Sequence, residues 1–226
     1  MSEIRAGKLR VGVLASGRGS NLQAIIDAVD AGTLEVEIAV VLSNKRDAQA
    51  LERARRHGLT DVFLDPKPYA GQADGREAFD RAVLEVLKKY DVELVLLAGY
   101  MRIVTPVLIG AYPNRLMNIH PSLLPSFPGL AGQQKALEWG VKVAGCTVHF
   151  VTEAVDEGPI IIQSAVPVLE TDSVETLSAR ILAEEHKIYP RSVQLYAEGR
   201  LRVEGRRVRV EREEPDSARQ SLMHPS

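Results

Sequence analysis

Leu116-Met-Asn-Ile-His-Pro-Ser-Leu-Leu-Pro125 is the stretch that decides how the chain is read. Side chains alternate across a β-strand, so Leu116, Asn118 and His120 share one face while Met117 and Ile119 anchor the other. Pro121 has no N–H for a sheet ladder and restricts the residue before it to extended angles, so the strand is predicted to end at His120. Open α/β sheets bind their ligands at that carboxyl edge. A carboxamide beside an imidazole suits acyl transfer: the amide can donate to a developing oxyanion, and the imidazole can move a proton near neutral pH. A core histidine that simply caps a strand would have the same local sequence.

Working back towards the amino terminus, Leu9-Arg-Val-Gly-Val-Leu-Ala-Ser16 reads as a buried strand. Gly17-Arg-Gly-Ser-Asn21 follows, and then the helical pattern Leu22, Ile25, Ile26, Val29. A strand, a glycine turn and a helix start aim free backbone N–H groups and the positive end of a helix dipole at one point. Position 22 is leucine, so the third glycine of a dinucleotide fingerprint is missing. The next strand, residues 36–43, ends in Asn44-Lys45 and not in the acid that would hold a ribose diol. The turn therefore reads as a cradle for a single phosphate, with Ser20 and Asn21 adding side-chain bonds, or as an ordinary βα turn. A helix over 47–57, a short strand over 61–65 and a loop over 66–75 come next. The loop leads into a helix with Phe79, Val83, Val86 and Leu87 on its apolar face. Arg76 in the first turn of that helix opposes the dipole, which fits an anionic partner or plain solvation. Residues 91–99 form a near-continuous apolar run, suited to a strand covered on both faces. Met101, Arg102, Ile103 and Val104 leave its carboxyl end, where they could clasp a flat ligand or pack against the core.

Beyond the central stretch, residues 133–139 suggest a short helix, and 144–152 and 158–168 a pair of antiparallel strands. The connection between those strands carries Glu153, Asp156 and Glu157. One carboxylate brought to His120 would raise its pKa and fix its tautomer; Asp156 is chosen because its side chain is short and a glycine follows closely at 158. Thr171-Asp-Ser173 caps a long helix whose stripe includes Leu177, Ile181 and Leu182. Glu185, near its end, could accept from ligand hydroxyls. A second helix from Pro190 to about Glu198 and a hairpin over 201–210 complete the pattern. The alternation of strands and helices predicts an α/β fold with a doubly wound, mostly parallel sheet and an antiparallel hairpin in the C-terminal half. One domain is expected over 1–210, with a phosphate-binding half at 9–110 and a catalytic half at 111–210. The polar residues 211–226 read as a disordered tail.

Composition narrows the function. With 28 basic and 30 acidic residues the formal charge is −2, which gives no electrostatic case for nucleic acid, so any anion must be held locally. No run approaches the ~20 apolar residues that a membrane span needs, and the amino terminus has no apolar core of a secretion signal; a cytoplasmic protein is expected. Cys146 is the one cysteine, and the five histidines are scattered without an H-E-x-x-H, so neither a disulfide nor a zinc site is expected.

The segments Ser16-Gly-Arg-Gly-Ser-Asn21, Leu97-Ala-Gly-Tyr-Met-Arg-Ile103, Asn118-Ile-His-Pro-Ser-Leu-Leu-Pro125, His149-Phe-Val-Thr with Asp156-x-Gly-Pro159, and Glu185-His-x-x-Tyr-Pro190 together resemble the folate-dependent phosphoribosylglycinamide (GAR) formyltransferases. The resemblance spans residues 10–201 and implies the Rossmann-like formyltransferase fold. It implies a catalytic group of Asn118, His120 and Asp156, with Gly19, Ser20, Asn21 and Glu185 holding GAR. Arg76, residues 101–104, Asn118, and Thr152, Glu153, Ala154, Val155 and Asp156 would hold 10-formyltetrahydrofolate, the co-substrate, with no metal. Protonated His120, kept charged by Asp156, would face the oxyanion. The implied partners are these two small molecules, without nucleic acid or membrane, and the chain would be a monomer or homodimer. One departure is that many members carry a histidine after Pro-Gly-Leu where this chain has Ala131.

Two rivals use some of the same features. A formyl-folate hydrolase would use the same three residues with water as acceptor, but is expected to carry a regulatory domain for which there is no room before Leu9. A non-catalytic phosphate sensor would explain the glycine turn and leave Asn118, His120 and Asp156 without a task.

Overall fold

The computed structural model describes residues 7–211, so the predicted tail over 211–226 lies outside the described residues except for Glu211, whose N–H donates to the Arg200 carbonyl at 2.9 Å. The chain runs β1 (Leu9–Leu14), α1 (Ser20–Asp30), β2 (Val36–Ser43), α2 (Gln49–Arg56), β3 (Asp61–Phe63), α3 (Gly75–Lys89), β4 (Leu94–Leu97), α4 (Pro106–Ala111) and β5 (Leu116–His120). It continues through α5 (Gly132–Glu138), β6 (Val143–Phe150), β7 (Ile160–Pro167), α6 (Val174–Ala197), β8 (Leu201–Glu204) and β9 (Arg207–Val210). One nine-stranded sheet has the order β3-β2-β1-β4-β5-β6-β7-β9-β8. The first five strands are parallel; β6 runs antiparallel to both β5 and β7. The terminal hairpin β8–β9 continues the same sheet through a parallel bridge from Ile160 to Arg207. The strand order reverses between β1 and β4, which opens a crevice at their carboxyl ends.

The apolar strands are covered on both faces, each by its own core. Val11, Val13, Leu94, Leu96, Met117 and Ile119 pack beneath α1, α2 and α6. Leu14, Val40, Leu42, Val95 and Leu97 pack beneath α3 and α4, through Phe79, Val83, Leu87 and Leu108. Leu116 joins this second core while Met117 joins the first, so the period-two alternation of β5 holds. At Gly12 α3 comes close to β1: a Cβ there would lie 2.8 Å from Leu87 Cδ2.

Near the carboxyl end the structure departs from the sequence reading. No second helix starts at Pro190; α6 runs unbroken from Val174 to Ala197 with Pro190 inside it. A proline within a helix costs about 3 kcal/mol. Its neighbours offset that cost. Tyr189 and Val193 are wholly buried against the sheet, and burying side chains of that size stabilises by roughly 1.5–3 kcal/mol each. The Tyr189 hydroxyl is shared between the carbonyls of Leu97 at 3.1 Å and Met117 at 3.2 Å, tying α6 to β4 and β5 below the crevice. Tyr189→Phe keeps the ring and removes that tie; thermal unfolding should report a loss of about 1–2 kcal/mol, or a few degrees in Tm.

Candidate active site

β5 delivers its two polar side chains to the sheet's carboxyl edge, and the segment after it is firmly anchored. The Thr147 hydroxyl on β6 donates to the Ser122 carbonyl at 2.7 Å and accepts from the Leu124 N–H at 3.0 Å. Gln163 on β7 donates to both Leu124 O and Thr147 Oγ1. His120 therefore ends its strand on a fixed base, 5% exposed.

The loop between β6 and β7 returns to meet it. Gly158 is required there, because a Cβ would run into the Phe150 carbonyl oxygen. Asp156, with φ of 56°, directs its carboxylate inward. Oδ2 lies 3.3 Å from His120 Nδ1 and accepts from the Gly129 N–H at 2.8 Å. Oδ1 lies 3.5 Å from Asn118 Nδ2 and 3.6 Å from His149 Nε2. Glu153 and Glu157, the other acids of this connection, are exposed. The structure thus brings Asn118, His120 and Asp156 together, with His149 as a fourth member. His149 Nδ1 lies 2.9 Å from the Phe150 carbonyl, and its Nε2 faces both Asn118 Nδ2 at 3.2 Å and the Asp156 carboxylate.

Burial pushes the pKa of His120 down, and this outweighs the Asp156 carboxylate and the Phe127 carbonyl, both of which pull it up; His149 and Lys135 add to the downward shift. Burial thus opposes the charge that Asp156 is expected to hold on His120, while both ring nitrogens face acceptors, Nδ1 the Asp156 carboxylate at 3.3 Å and Nε2 the Phe127 carbonyl at 3.0 Å. Burial also raises the pKa of Asp156, but contacts with His149, the Gly129 N–H and His120 together hold it below the usual carboxylate range. Histidine-resolved NMR titration of the protein should give His120 a midpoint below 6.5, moving lower still in Asp156→Asn, where the carboxylate that favours the imidazolium is gone. A midpoint above 6.5 would show that the carboxylate outweighs burial.

A cavity of about 610 Å³ opens beside this group. Residues 97 and 99–104 form one wall, Val151, Thr152, Glu153, Val155 and Asp156 the other, and Gly129, Leu130, Ala131 and Gln133 the rim. Met101, Arg102, Ile103, Val104 and Asn118 all line it, whereas Ala154 and Arg76, the latter exposed in the first turn of α3, are not among the lining residues. The wall is held from behind. Asp80 on α3 accepts from the Thr105 N–H at 2.6 Å, and the Arg102 guanidinium stacks 4.1 Å over the Phe79 ring. Among the described residues, no group of three or more His, Cys, Asp or Glu could hold a metal ion, and no helix is long and apolar enough to cross a membrane.

The glycine turn lies at the neighbouring strand end. Gly19 sits in the left-handed region at φ 70°, and a Cβ there would come 2.8 Å from Ala50 Cα, so the turn can press against α2 only with glycine. No side chain caps α1, which leaves the start of the helix to an outside acceptor. Behind Ser20, Asn21 Nδ2 donates to Glu185 Oε2 at 2.7 Å across 164 residues of chain. Burial raises the Glu185 pKa, while the Asn21 bond works against that rise.

Comparison with known proteins fits this arrangement. The family described as "Formyl transferase" matches residues 9–193. The chain belongs to the formyl transferase family. It is 45% identical over 195 residues to the phosphoribosylglycinamide formyltransferase of Escherichia coli, a match covering 86% of this chain and 90% of that protein. It is 48% identical over 198 residues to the trifunctional purine biosynthetic protein adenosine-3 of Chironomus tentans, where the match covers 87% of this chain but only 14% of that protein. The crystal structure of glycinamide ribonucleotide transformylase 1 from Symbiobacterium toebii superposes with a TM-score of 0.88 at 56% identity, covering 94% of this chain and 99% of that one. Within this formyl transferase, sequence reading gave His149 no role. The alternation of β6 marks it as inward, but only the register pairing it with Asn118 shows what it touches.

Proposed function

We propose that the protein transfers the formyl group of 10-formyltetrahydrofolate to the primary amine of GAR, giving N2-formyl-GAR and tetrahydrofolate in purine synthesis. The convergence of Asn118, His120 and Asp156 at the edge of a largely apolar cavity carries this reading, with the glycine turn and Glu185 at the adjoining strand end. Residues 101–104 and 152–156 flank the folate, the turn at Gly19, Ser20 and Asn21 takes the phosphate of GAR, and Glu185 takes its ribose hydroxyls.

The co-substrate supplies the formyl carbon, and the chain's residues handle charge and protons. Asn118 donates to the carbonyl oxygen as it becomes an oxyanion, exchanging its long 3.5 Å contact with Asp156 for a stronger one. His120 starts neutral and takes the proton shed by the attacking amine. Asp156 then stabilises the imidazolium, and the proton passes to the departing folate nitrogen as its bond to the formyl carbon breaks. At rest, His120 Nε2 lies 3.0 Å from the Phe127 carbonyl, so proton exchange through that nitrogen requires the turn at 126–129 to give way.

Absorbance change on loss of formyl from 10-formyltetrahydrofolate, followed with and without GAR, tests the assignment. Loss that depends on GAR supports transfer. Loss with water alone would make the protein a hydrolase, for which the glycine turn and Glu185 would have no purpose.

A further inference from the structure

One buried hydroxyl joins the two halves of the site. Ser16, just past β1 and 3% exposed, donates its backbone N–H to the Gly99 carbonyl at 3.0 Å. Its Oγ accepts from the Met101 N–H at 2.8 Å and donates to Asn44 Oδ1 at 2.6 Å. Gly99 and Met101 begin the cavity wall, Asn44 follows β2, and Ser16 itself leads into the glycine turn. The Gly17 carbonyl accepts from the Ala50 N–H at 3.1 Å, so the turn is clamped on its far side as well. These contacts lie at the carboxyl ends of β1, β2 and β4, where the strand order reverses. A hydroxyl both accepts and donates from a single atom, and the two bonds it makes here are to groups from different loops. The other end of the wall is fastened independently, through Asp80 and the Thr105 N–H.

We propose that Ser16 is a positioning residue that couples the two substrate sites, fixing the folate-facing backbone at 99–101 relative to the phosphate-facing turn at 17–21. This rests on the assignment of those segments to folate and to the phosphate of GAR. A ligand that orders either segment orders their shared anchor, so the second ligand meets a backbone already in place. The effect is reciprocal: each ligand tightens the other by the same factor.

The test titrates tetrahydrofolate, which carries no formyl to transfer, by calorimetry on the full chain with and without saturating GAR. In the wild-type protein GAR should tighten tetrahydrofolate binding by about fivefold or more. Ser16→Ala, which leaves the Met101 N–H and Asn44 without their partner, should weaken tetrahydrofolate by about tenfold and bring the coupling factor close to one. Asp80→Asn loosens the same wall without touching the glycine turn, so it should weaken tetrahydrofolate and keep the factor. If Ser16→Ala does not fold, Asn44→Ala removes one of the two bonds and should lower the factor part of the way. A wild-type factor of one, or an unchanged factor in the folded Ser16 variant or in the Asn44 variant, overturns the proposal. A wild-type protein that binds neither ligand overturns the functional reading beneath it, a distinct result.

Discussion

His120→Ala is expected to lower the rate of formyl transfer by roughly a thousandfold, within the range that a positioned acid or base supplies. Tetrahydrofolate binding should change little, because His120 supplies only part of the cavity's lining and both walls, at 97 and 99–104 and at 151–153, 155 and 156, are built from other residues. The expected split is therefore a collapse of kcat with a modest change in the folate KM. The fold should survive. His120 is buried at the end of β5, but Thr147 and Gln163 hold the segment after it through backbone groups that the substitution leaves alone. Stopped-flow single turnovers separate the chemical step from product release. A variant with nearly normal single-turnover rates would remove His120 from the mechanism.

Asp156→Asn is expected to cost roughly a hundred- to a thousandfold in kcat, by a different route. The amide has nearly the same shape but no charge, so an imidazolium formed in the reaction loses the carboxylate 3.3 Å from its Nδ1. Nδ1 would instead meet an amide, and the Gly129 N–H and Asn118 Nδ2 would lose part of their acceptor. Rate and titration should move together: transfer slows, and the His120 midpoint falls below its wild-type value because a group that raised it is gone. Slower transfer with an unmoved midpoint would mean that Asp156 acts on the substrate and not through His120.

Much of this site is legible in the sequence because it depends on local rules. Pro121 stops β5 after His120, the alternation from Leu116 to His120 sets two polar side chains on one face, and Gly17 and Gly19 mark a turn ahead of an uncapped helix. Spacing favours Asp156 over Glu153 and Glu157 by its short reach but does not decide among them; the loop's path does, with Gly158 pressed against the Phe150 carbonyl. What the sequence does not carry is register and burial. His149 faces Asn118 only because β5 and β6 pair at that offset, and a shift of one residue would turn it away. Ser16 reaches Met101 across 85 residues of chain, and nothing near either of them announces it. Burial of the ring pulls the His120 pKa down while Asp156 pulls it up, and a rule about neighbouring acids alone sees only the second of these. Pro190 misleads in the opposite sense: the local rule breaks a helix that Tyr189 and Val193 keep whole by packing.

The most direct test follows the formyl group itself. With 10-formyltetrahydrofolate labelled with carbon-13 at the formyl carbon, and with GAR present, nuclear magnetic resonance should show the label moving to an amide on GAR, with little free formate. In His120→Ala that signal should be almost absent on the same time scale. Label appearing as formate at the same rate whether or not GAR is present would contradict the account.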